Sequence, residues 1–125
     1  MPCNYIIDSQ SRLVITTLLG VVTAAEALAH QDSLVSDPEF RPEFYQLLDA
    51  SDAKKLDLNN AEMRTIAKRN FFAPTARRAF LVRGTLLYGV GRMLVTFREL
   101  AGGKEQMQIF QDRKEALAWL GLPTE

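Results

Sequence analysis

Short apolar runs alternate along the chain with longer segments whose apolar residues recur at helical spacing. Two runs near the N-terminus, at residues 5–8 and 13–19, are separated by a short polar turn, which predicts a β-hairpin. Later runs predict strands at residues 44–50, 78–82 and 105–110. The run at 13–19 has little polar alternation, so we place this strand in the interior of the sheet.

Four helices are predicted between and after these strands. Three capping-box spacings mark helix starts: Thr23 with Glu26, Asn59 with Glu62, and Asp112 with Glu115. The remaining helix begins near Thr85 and is ended by the pair Gly102-Gly103. The predicted inward faces, in chain order, are Ala25, Leu28, Ala29 and Val35; Met63, Ile66 and Ala67; Leu86, Val90, Met93, Leu94 and Phe97; and Ala116, Leu117 and Leu120.

The element order is therefore β-β-α-β-α-β-α-β-α. Strands that alternate with helices are joined by crossover connections, which are typical of parallel strands. We predict an α/β fold with a single-layer, mixed and largely parallel five-stranded sheet on which the helices pack. A chain of 125 residues has the usual size of one compact domain, so residues 1–125 are expected to form a single domain.

Composition and charge exclude several classes of protein. Hydrophobic residues make up 47% of the chain and charged residues 24%, which is typical of a soluble globular protein. No apolar run has the roughly 18 residues that a membrane span requires. The N-terminus has no secretory signal pattern and the single Cys3 cannot form an internal disulfide, so we expect a cytoplasmic protein. Because 15 basic and 15 acidic residues cancel, general nucleic-acid binding is not expected.

The charges are unevenly distributed along the chain. Six basic residues and no acidic residue lie between positions 64 and 83: Arg64, Lys68, Arg69, Arg77, Arg78 and Arg83. This run is either a set of solvated faces or a patch that faces an anion. Within it, Phe71 and Phe72 either line an apolar site beside the charge or close the core under a loop.

Residues suited to catalysis are few. With one histidine, His30, and one cysteine, the chain lacks the parts of a zinc site or a Cys-His pair. We expect His30 at the surface or the boundary of the first helix. Asp49, Asp52 and Asp57 surround a predicted strand-to-helix loop, where α/β proteins often place their sites, but loops also use Asp in turns and caps. We therefore predict that the protein is not an enzyme and has no cofactor or metal.

Three segments together resemble a known family. They are GVVTAAEALAH, which is similar to a G-x-V-T-x-x-E opening of the first helix; a strand that ends in LLDAS; and DRKEALAWL, which is similar to a closing helix. In these features, and over nearly the whole chain, the protein resembles the SpoIIAA-like branch of the STAS domains, which includes the anti-sigma-factor antagonists. The resemblance implies a SpoIIAA-like fold and a regulatory or protein-interaction role.

The antagonists of that family carry an Asp-Ser-Ser-Gly-type motif before the second helix, whose serine is phosphorylated to switch partner binding. The matching residues here are Asp57-Leu58-Asn59-Asn60, which contain no hydroxyl. The resemblance thus implies a recognition surface without the phosphorylation switch. We expect a protein partner or an anion to bind at the start and outer face of the second helix, at Asp57, Asn59, Asn60, Arg64 and Lys68.

Two alternatives remain open. The basic run beside Phe71 and Phe72 is also consistent with a protein that binds a small ligand, either an anionic lipid or an acidic metabolite. In addition, Leu87, Tyr88 and Val95 form a second apolar strip on the third helix. This strip is either an exposed surface for self-association or is covered by a neighbouring helix.

Overall fold

A computed structural model of the protein describes residues 2–124. Its strands and helices follow one another in the predicted order. The strands are β1 (Cys3–Asp8), β2 (Leu13–Thr23), β3 (Tyr45–Asp57), β4 (Arg77–Leu81) and β5 (Gln106–Phe110). The helices are α1 (Ala24–Ser36), α2 (Asn60–Lys68), α3 (Thr85–Leu100) and α4 (Arg113–Trp119).

The strands form one sheet in the spatial order β1-β2-β3-β4-β5. β1 is antiparallel to β2, and every other neighbouring pair is parallel, as predicted. Because each parallel strand is added on the same side of the previous one, crossovers of one hand carry α1, α2 and α3 to one face. There Leu87 of α3 packs with Leu18 and Phe80 of the sheet. α4 covers the opposite face, where Ala116 packs with Leu13.

β2 and β3 are longer than the sequence pattern indicates. β2 continues to Thr23 and β3 to Asp57, so residues 51–57 form a strand and not the predicted loop. These extensions pair with each other from Leu19 opposite Asp52 to Thr23 opposite Asp57, with two register shifts. The mutual pairing satisfies the backbone hydrogen bonds of a segment whose side chains are mostly polar. The apolar pattern therefore predicts both strands too short.

The buried faces of α1 and α3 differ from the prediction. In α1, Ala25, Ala29 and Val35 are exposed, and the buried residues are Ala24, Gln31 and Leu34. In α3, Leu86 is 76% exposed and Met93 is 38% exposed. The buried residues there are Leu87, Gly91 and Arg98. Both corrections have one cause: the true core faces include Gln31, Gly91 and Arg98, which a pattern of apolar residues does not count.

The remaining helix features largely agree with the sequence. The capping boxes of α1 and α2 are formed as predicted. At α4 the box is wrong, because the Asp112 side chain accepts a hydrogen bond from the backbone N–H of Lys114 instead of that of Glu115. Met63 and Ala67 of α2 are buried, as are Ala116 and Leu120 of the α4 region. Within the described part of the chain, none of the helices combines the length and apolar content needed to span a lipid bilayer.

Candidate functional site

A line of hydrogen-bonded polar side chains crosses the core between the sheet and α1. The Thr16 hydroxyl on β2 lies 3.1 Å from Nε2 of His30 on α1. It also accepts a hydrogen bond of 3.1 Å from Nε2 of Gln46 on β3. Arg78 lies directly opposite Gln46 on the neighbouring β4 and donates from Nε to Oε1 of Gln46 at 2.9 Å. One line of contacts thus joins three adjacent strands to a helix.

Arg78 continues this line into an ion-pair network. Its Nη1 donates to Oε2 of Glu105 at 3.0 Å. Arg98 of α3 binds the same carboxylate at both oxygens, Nε to Oε2 and Nη2 to Oε1, each at 3.0 Å. Arg98 also donates to the Ala67 carbonyl and to Oδ1 of Asn70. Arg78, Arg98 and Glu105 are all buried, so two guanidinium groups share one carboxylate and one positive charge is left over.

The surroundings fix the charge state of this network. Although burial raises the pKa of Glu105, its hydrogen bonds with Arg98 and the charge of Arg78 outweigh this and hold the pKa below its ordinary value. Burial, together with the nearby charge of Arg78, lowers the pKa of His30 to about 4. At neutral pH the imidazole is therefore uncharged and Glu105 is ionised, so neither group changes the net charge of +1.

A cavity of about 90 Å³ lies between the sheet and α1, α2 and α3, at the end of this network. Its polar lining consists of His30, Gln31, Gln46, Arg78 and Arg98. Most of the remaining lining is apolar and includes Leu18, Val22, Leu56, Phe80 and Leu94. The cavity is thus amphipathic, with an apolar body and a polar end that carries positive charge.

Two aromatic rings hold the Arg78 guanidinium at the polar end. The guanidinium carbon lies 4.5 Å from the ring centre of Phe72 and 5.6 Å from that of Phe71. Phe71 also lines the cavity, whereas Phe72 is buried against Phe40. Of the two roles left open by the sequence, Phe71 thus lines an apolar site beside a charge and Phe72 closes the core.

Gln31 is the second unusual polar residue in this region. Its Nε2 makes a long hydrogen bond of 3.4 Å to the carbonyl of Ile66, while its buried Oε1 has no partner among the described residues. Buried polar atoms of folded proteins are nearly always paired, and an unpaired one costs about 1 to 3 kcal/mol. Gln31 is therefore at a position where stability alone would favour an apolar side chain.

The residues predicted for partner or anion binding lie outside the cavity, along α2. Asn59 caps the helix, Asn60 is its first residue, and Arg64 and Lys68 are exposed along it. Arg64 lies over the ring of Phe97, at 4.9 Å from its centre. Asp57, at the end of β3, is paired with Lys55 at 3.7 Å and is also exposed. The structure thus brings these residues together on one surface.

The basic run between residues 64 and 83 does not form one patch. Arg78 is directed into the core, as described above. Arg77, its neighbour on the strand, contacts Trp119 on the opposite face of the sheet. Arg69 forms an ion pair with Asp32 of α1. Strand alternation and local pairing therefore separate charges that are adjacent in sequence.

The strip Leu87, Tyr88 and Val95 is not an exposed surface. Leu87 is buried in the core, and Tyr88 and Val95 are partly buried, which corrects the exposed interpretation. The prediction assigned the core face of α3 one residue too early along the helix. The exposed large apolar residues of α3 are instead Leu86, Met93 and Leu100.

Asp49, one of the acidic residues near the predicted loop, has structural partners. Asp49 accepts hydrogen bonds from the backbone and the hydroxyl of Ser51, and it binds Arg113 at 2.9 Å. Within residues 2–124, no group of three or more His, Cys, Asp or Glu residues is arranged to hold a metal ion. These contacts give Asp49 the role of connecting β3 to α4.

Sequence reasoning missed Thr16, Gln46, Arg98 and Glu105 and placed His30 near the surface. A signal is present for two of them, because Thr16 and Gln46 interrupt apolar runs that predict buried strands. A polar residue within a buried strand needs a partner in the core. The partner Glu105 could not be identified, because it is 27 positions from Arg78 and the contact depends on the folded sheet.

Comparisons with known proteins support the fold. No protein-family model and no curated protein matches the chain. Among solved structures, it is similar to an uncharacterised protein of the DUF3478 family with a SpoIIAA-like fold from Shewanella loihica PV-4. The TM-score is 0.61 and the identity 19%, with 94% of this chain and 91% of the other covered. A likeness at this identity concerns the fold, and it agrees with the resemblance seen in the sequence: the protein has a SpoIIAA-like fold.

Proposed function

We propose that this protein binds a small molecule with an apolar body and an acidic group, and that it does so as a binding protein and not as an enzyme. The observation that carries the proposal is the unbalanced positive charge at the polar end of an apolar cavity. Placing an unpaired charge in a protein interior is unfavourable, and a bound anion would compensate it. The cavity therefore has an excess positive charge that favours a bound anion and an apolar surface that an aliphatic group can contact.

Arg78 is the residue that would hold the acidic group. Its Nε and Nη1 bind Gln46 and Glu105, which leaves Nη2 as a donor for a ligand. A hydrogen bond between a guanidinium and a carboxylate is charge-assisted and about twice as strong as a neutral one. The rings of Phe71 and Phe72 already hold the guanidinium plane in the free protein. Little side-chain conformational entropy is therefore lost when the ligand binds.

A binding role is also supported by the state of His30. A general base works best when its pKa lies near the operating pH. The pKa of His30 is about 4, and its Nε2 already faces the Thr16 hydroxyl. This arrangement makes the imidazole a weak base and an uncharged part of the cavity wall.

The volume of the cavity restricts the part of the ligand that it holds. At about 90 Å³ it is smaller than an engineered protein cavity of about 150 Å³ that holds benzene. The acid that fits inside is therefore short, and butyrate, which has as many non-hydrogen atoms as benzene, is the largest that we expect the cavity to hold and is the first probe.

The proposal is tested by calorimetric titration with butyrate and with butyramide, which is neutral and has nearly the same shape. We expect butyramide to bind at least about tenfold more weakly, because it lacks the charge-assisted contact. Arg78→Met should reduce butyrate affinity by a similar factor while Glu105 keeps its two bonds to Arg98. The matched control is Arg77→Met, which removes the same charge from the opposite face of the sheet.

Equal binding of butyrate and butyramide would contradict the proposal, as would equal effects of the two arginine variants. Should Arg78→Met fail to fold, the comparison of the two probes on the unaltered protein still decides. Binding should also raise the melting temperature as ligand concentration rises, since a ligand specific for the folded state stabilises it by mass action.

A second candidate function is the regulatory interaction module that the sequence implied. It is favoured by the exposed outer face of α2, which carries Arg64 and Lys68, and by the position of Arg64 over the ring of Phe97 of α3. Charge reversal by Arg64→Glu with Lys68→Glu should weaken binding to a cross-linked cellular partner without lowering the melting temperature. The control is the pair Lys104→Glu and Lys114→Glu, which changes net charge equally at other exposed positions. Unchanged affinity of the first pair would assign the interaction to another surface.

A further inference from the structure

Two side chains, Cys3 and His30, lie between the cavity and a groove at the protein surface beside β1. A groove of about 370 Å³ lies between β1 and α1. Cys3 and His30 line both this groove and the cavity. The rest of the groove includes the apolar surfaces of Pro2, Tyr5 and Ala29. The groove and the cavity are thus two compartments that share a wall.

We propose that the ligand enters between β1 and α1, and that the groove holds the portion of its aliphatic chain that extends beyond the cavity. This inference rests on the proposed binding function and adds the ligand class: a medium-chain carboxylic acid, with its acidic group at Arg78 and its chain passing Cys3 and His30. Butyrate fills only the inner compartment, whereas a chain such as that of decanoate occupies both.

The His30 side chain of the shared wall can move with the loss of few contacts. The His30 ring is held by the single hydrogen bond to Thr16 and by an edge contact with Tyr5, whose ring centre is 5.5 Å away. Because the imidazole is only partly buried and is uncharged, rotation of its side chain breaks one hydrogen bond and no ion pair.

The other side of α1 is less suited as an entrance. A groove between α1 and α2 shares only Phe71 with the cavity. Arg69 closes that side, because it is paired with Asp32 and donates to the Leu28 carbonyl of α1 at 3.4 Å. Opening there would break an ion pair and a hydrogen bond between the helices, so the route past Cys3 and His30 requires less rearrangement.

Cys3 is the only cysteine of the chain and reports directly on this route. The experiment measures the rate of Cys3 alkylation by N-ethylmaleimide, followed by intact mass, with butyrate or with decanoate below its micellar concentration. Calorimetry first establishes the saturating concentration of each acid. We expect decanoate to bind at least about tenfold more tightly than butyrate and to slow alkylation about tenfold or more. Butyrate should slow it by less than about twofold, because its chain ends inside the cavity.

The control protein carries Cys3→Ser together with Val35→Cys, which places the single thiol in the groove between α1 and α2. Its alkylation should be unaffected by decanoate. The inference is overturned if decanoate binds but leaves the Cys3 rate unchanged, if decanoate binds no better than butyrate, or if the thiol at position 35 is the one protected. Failure of both acids to bind would instead refute the proposed function, and the inference with it.

Discussion

Gln31 is a buried polar residue whose side chain lowers the stability of the fold. Its side chain is buried, its Oε1 is unpaired, and its Nε2 makes only a long hydrogen bond to the Ile66 carbonyl. That carbonyl also accepts a hydrogen bond from the backbone N–H of Arg69, so it keeps a partner without Gln31. Substitution by an apolar residue of similar size therefore removes the cost of burying the unpaired Oε1. It does not leave the Ile66 carbonyl without a partner.

We predict that Gln31→Leu raises the free energy of unfolding by about 1 kcal/mol and the melting temperature by roughly 4 °C. The measurements are urea unfolding and calorimetry. Gln10→Leu, at an exposed turn position, is the control and should change stability by less than about 0.5 kcal/mol. A marked loss of stability in Gln31→Leu would show that Oε1 has a partner in solution.

His30 makes the stability of the protein depend on pH. Its pKa falls from 6.5 in the unfolded chain to about 4 in the folded protein, so between these values the unfolded chain binds more protons. Neutral His30 makes its full contribution to the free energy of unfolding above pH 6.5. This contribution is lost as the pH falls towards 4. The shift corresponds to a loss on the order of 3 kcal/mol. Urea unfolding across this pH range should show the loss, and His30→Asn should flatten the curve.

Because His30 is the only histidine, its Hε1 proton gives the single histidine Hε1 signal of the NMR spectrum. The titration midpoint should lie near pH 4 in the free protein and rise when butyrate is bound, since the carboxylate favours the imidazolium. A midpoint near 6.5 in the free protein would mean that the ring is exposed and that the wall between groove and cavity is open.

At the scale of the element, α3 shows how a helix can present its apolar residues on two sides. Leu86 and Leu87 are adjacent in sequence, but Leu86 is 76% exposed and Leu87 only 6%. We predict that Leu87→Ala lowers the free energy of unfolding by about 2 to 5 kcal/mol, as expected for a buried leucine. Leu86→Ala should change it by less than about 0.5 kcal/mol. Chemical denaturation of both variants measures the difference, and equal effects would reassign the buried face.

The order and type of the elements could be predicted from the sequence because they depend on local signals. Strand runs, the caps at Thr23 and Asn59, and the glycines after α3 each act within a few residues. The site could not be predicted in the same way, since its residues occupy core positions with polar or charged side chains. The burial of Arg78 is the part of the site that the sequence could predict. In the run RAFLV, strand alternation places Arg78 on the same face as the apolar residues Phe80 and Val82.

At the scale of the whole molecule, the buried polar network connects the sheet to α1 and α3, in addition to the apolar packing of the core. It runs from His30 on α1 across β2, β3 and β4 to Arg98 on α3. Glu105 is the only acidic group in this line and is bonded to both arginines. Removal of its charge would leave two buried guanidinium groups facing each other.

We predict that Glu105→Gln lowers the free energy of unfolding by about 3 to 5 kcal/mol, the usual result of breaking a buried ion pair on one side. Glu99→Gln, at an exposed position of α3, is the control and should have little effect. Both variants are compared by urea unfolding at neutral pH. Equal stability of the two would indicate that water reaches the arginines and screens them.

The placement of α4 has a consequence for the order in which the protein is assembled during synthesis. The three crossover helices cover one face of the sheet as the strands are added, but within residues 2–124 the other face is covered by α4 and the residues just after it, which follow every strand in the chain. A ribosome therefore completes all five strands while Leu13, Leu47 and Leu81 still face water. Until Ala116 and Leu120 are made, this apolar face is exposed to chaperones and to other nascent chains, so the interval between β5 and α4 is the step at which aggregation competes most directly with folding.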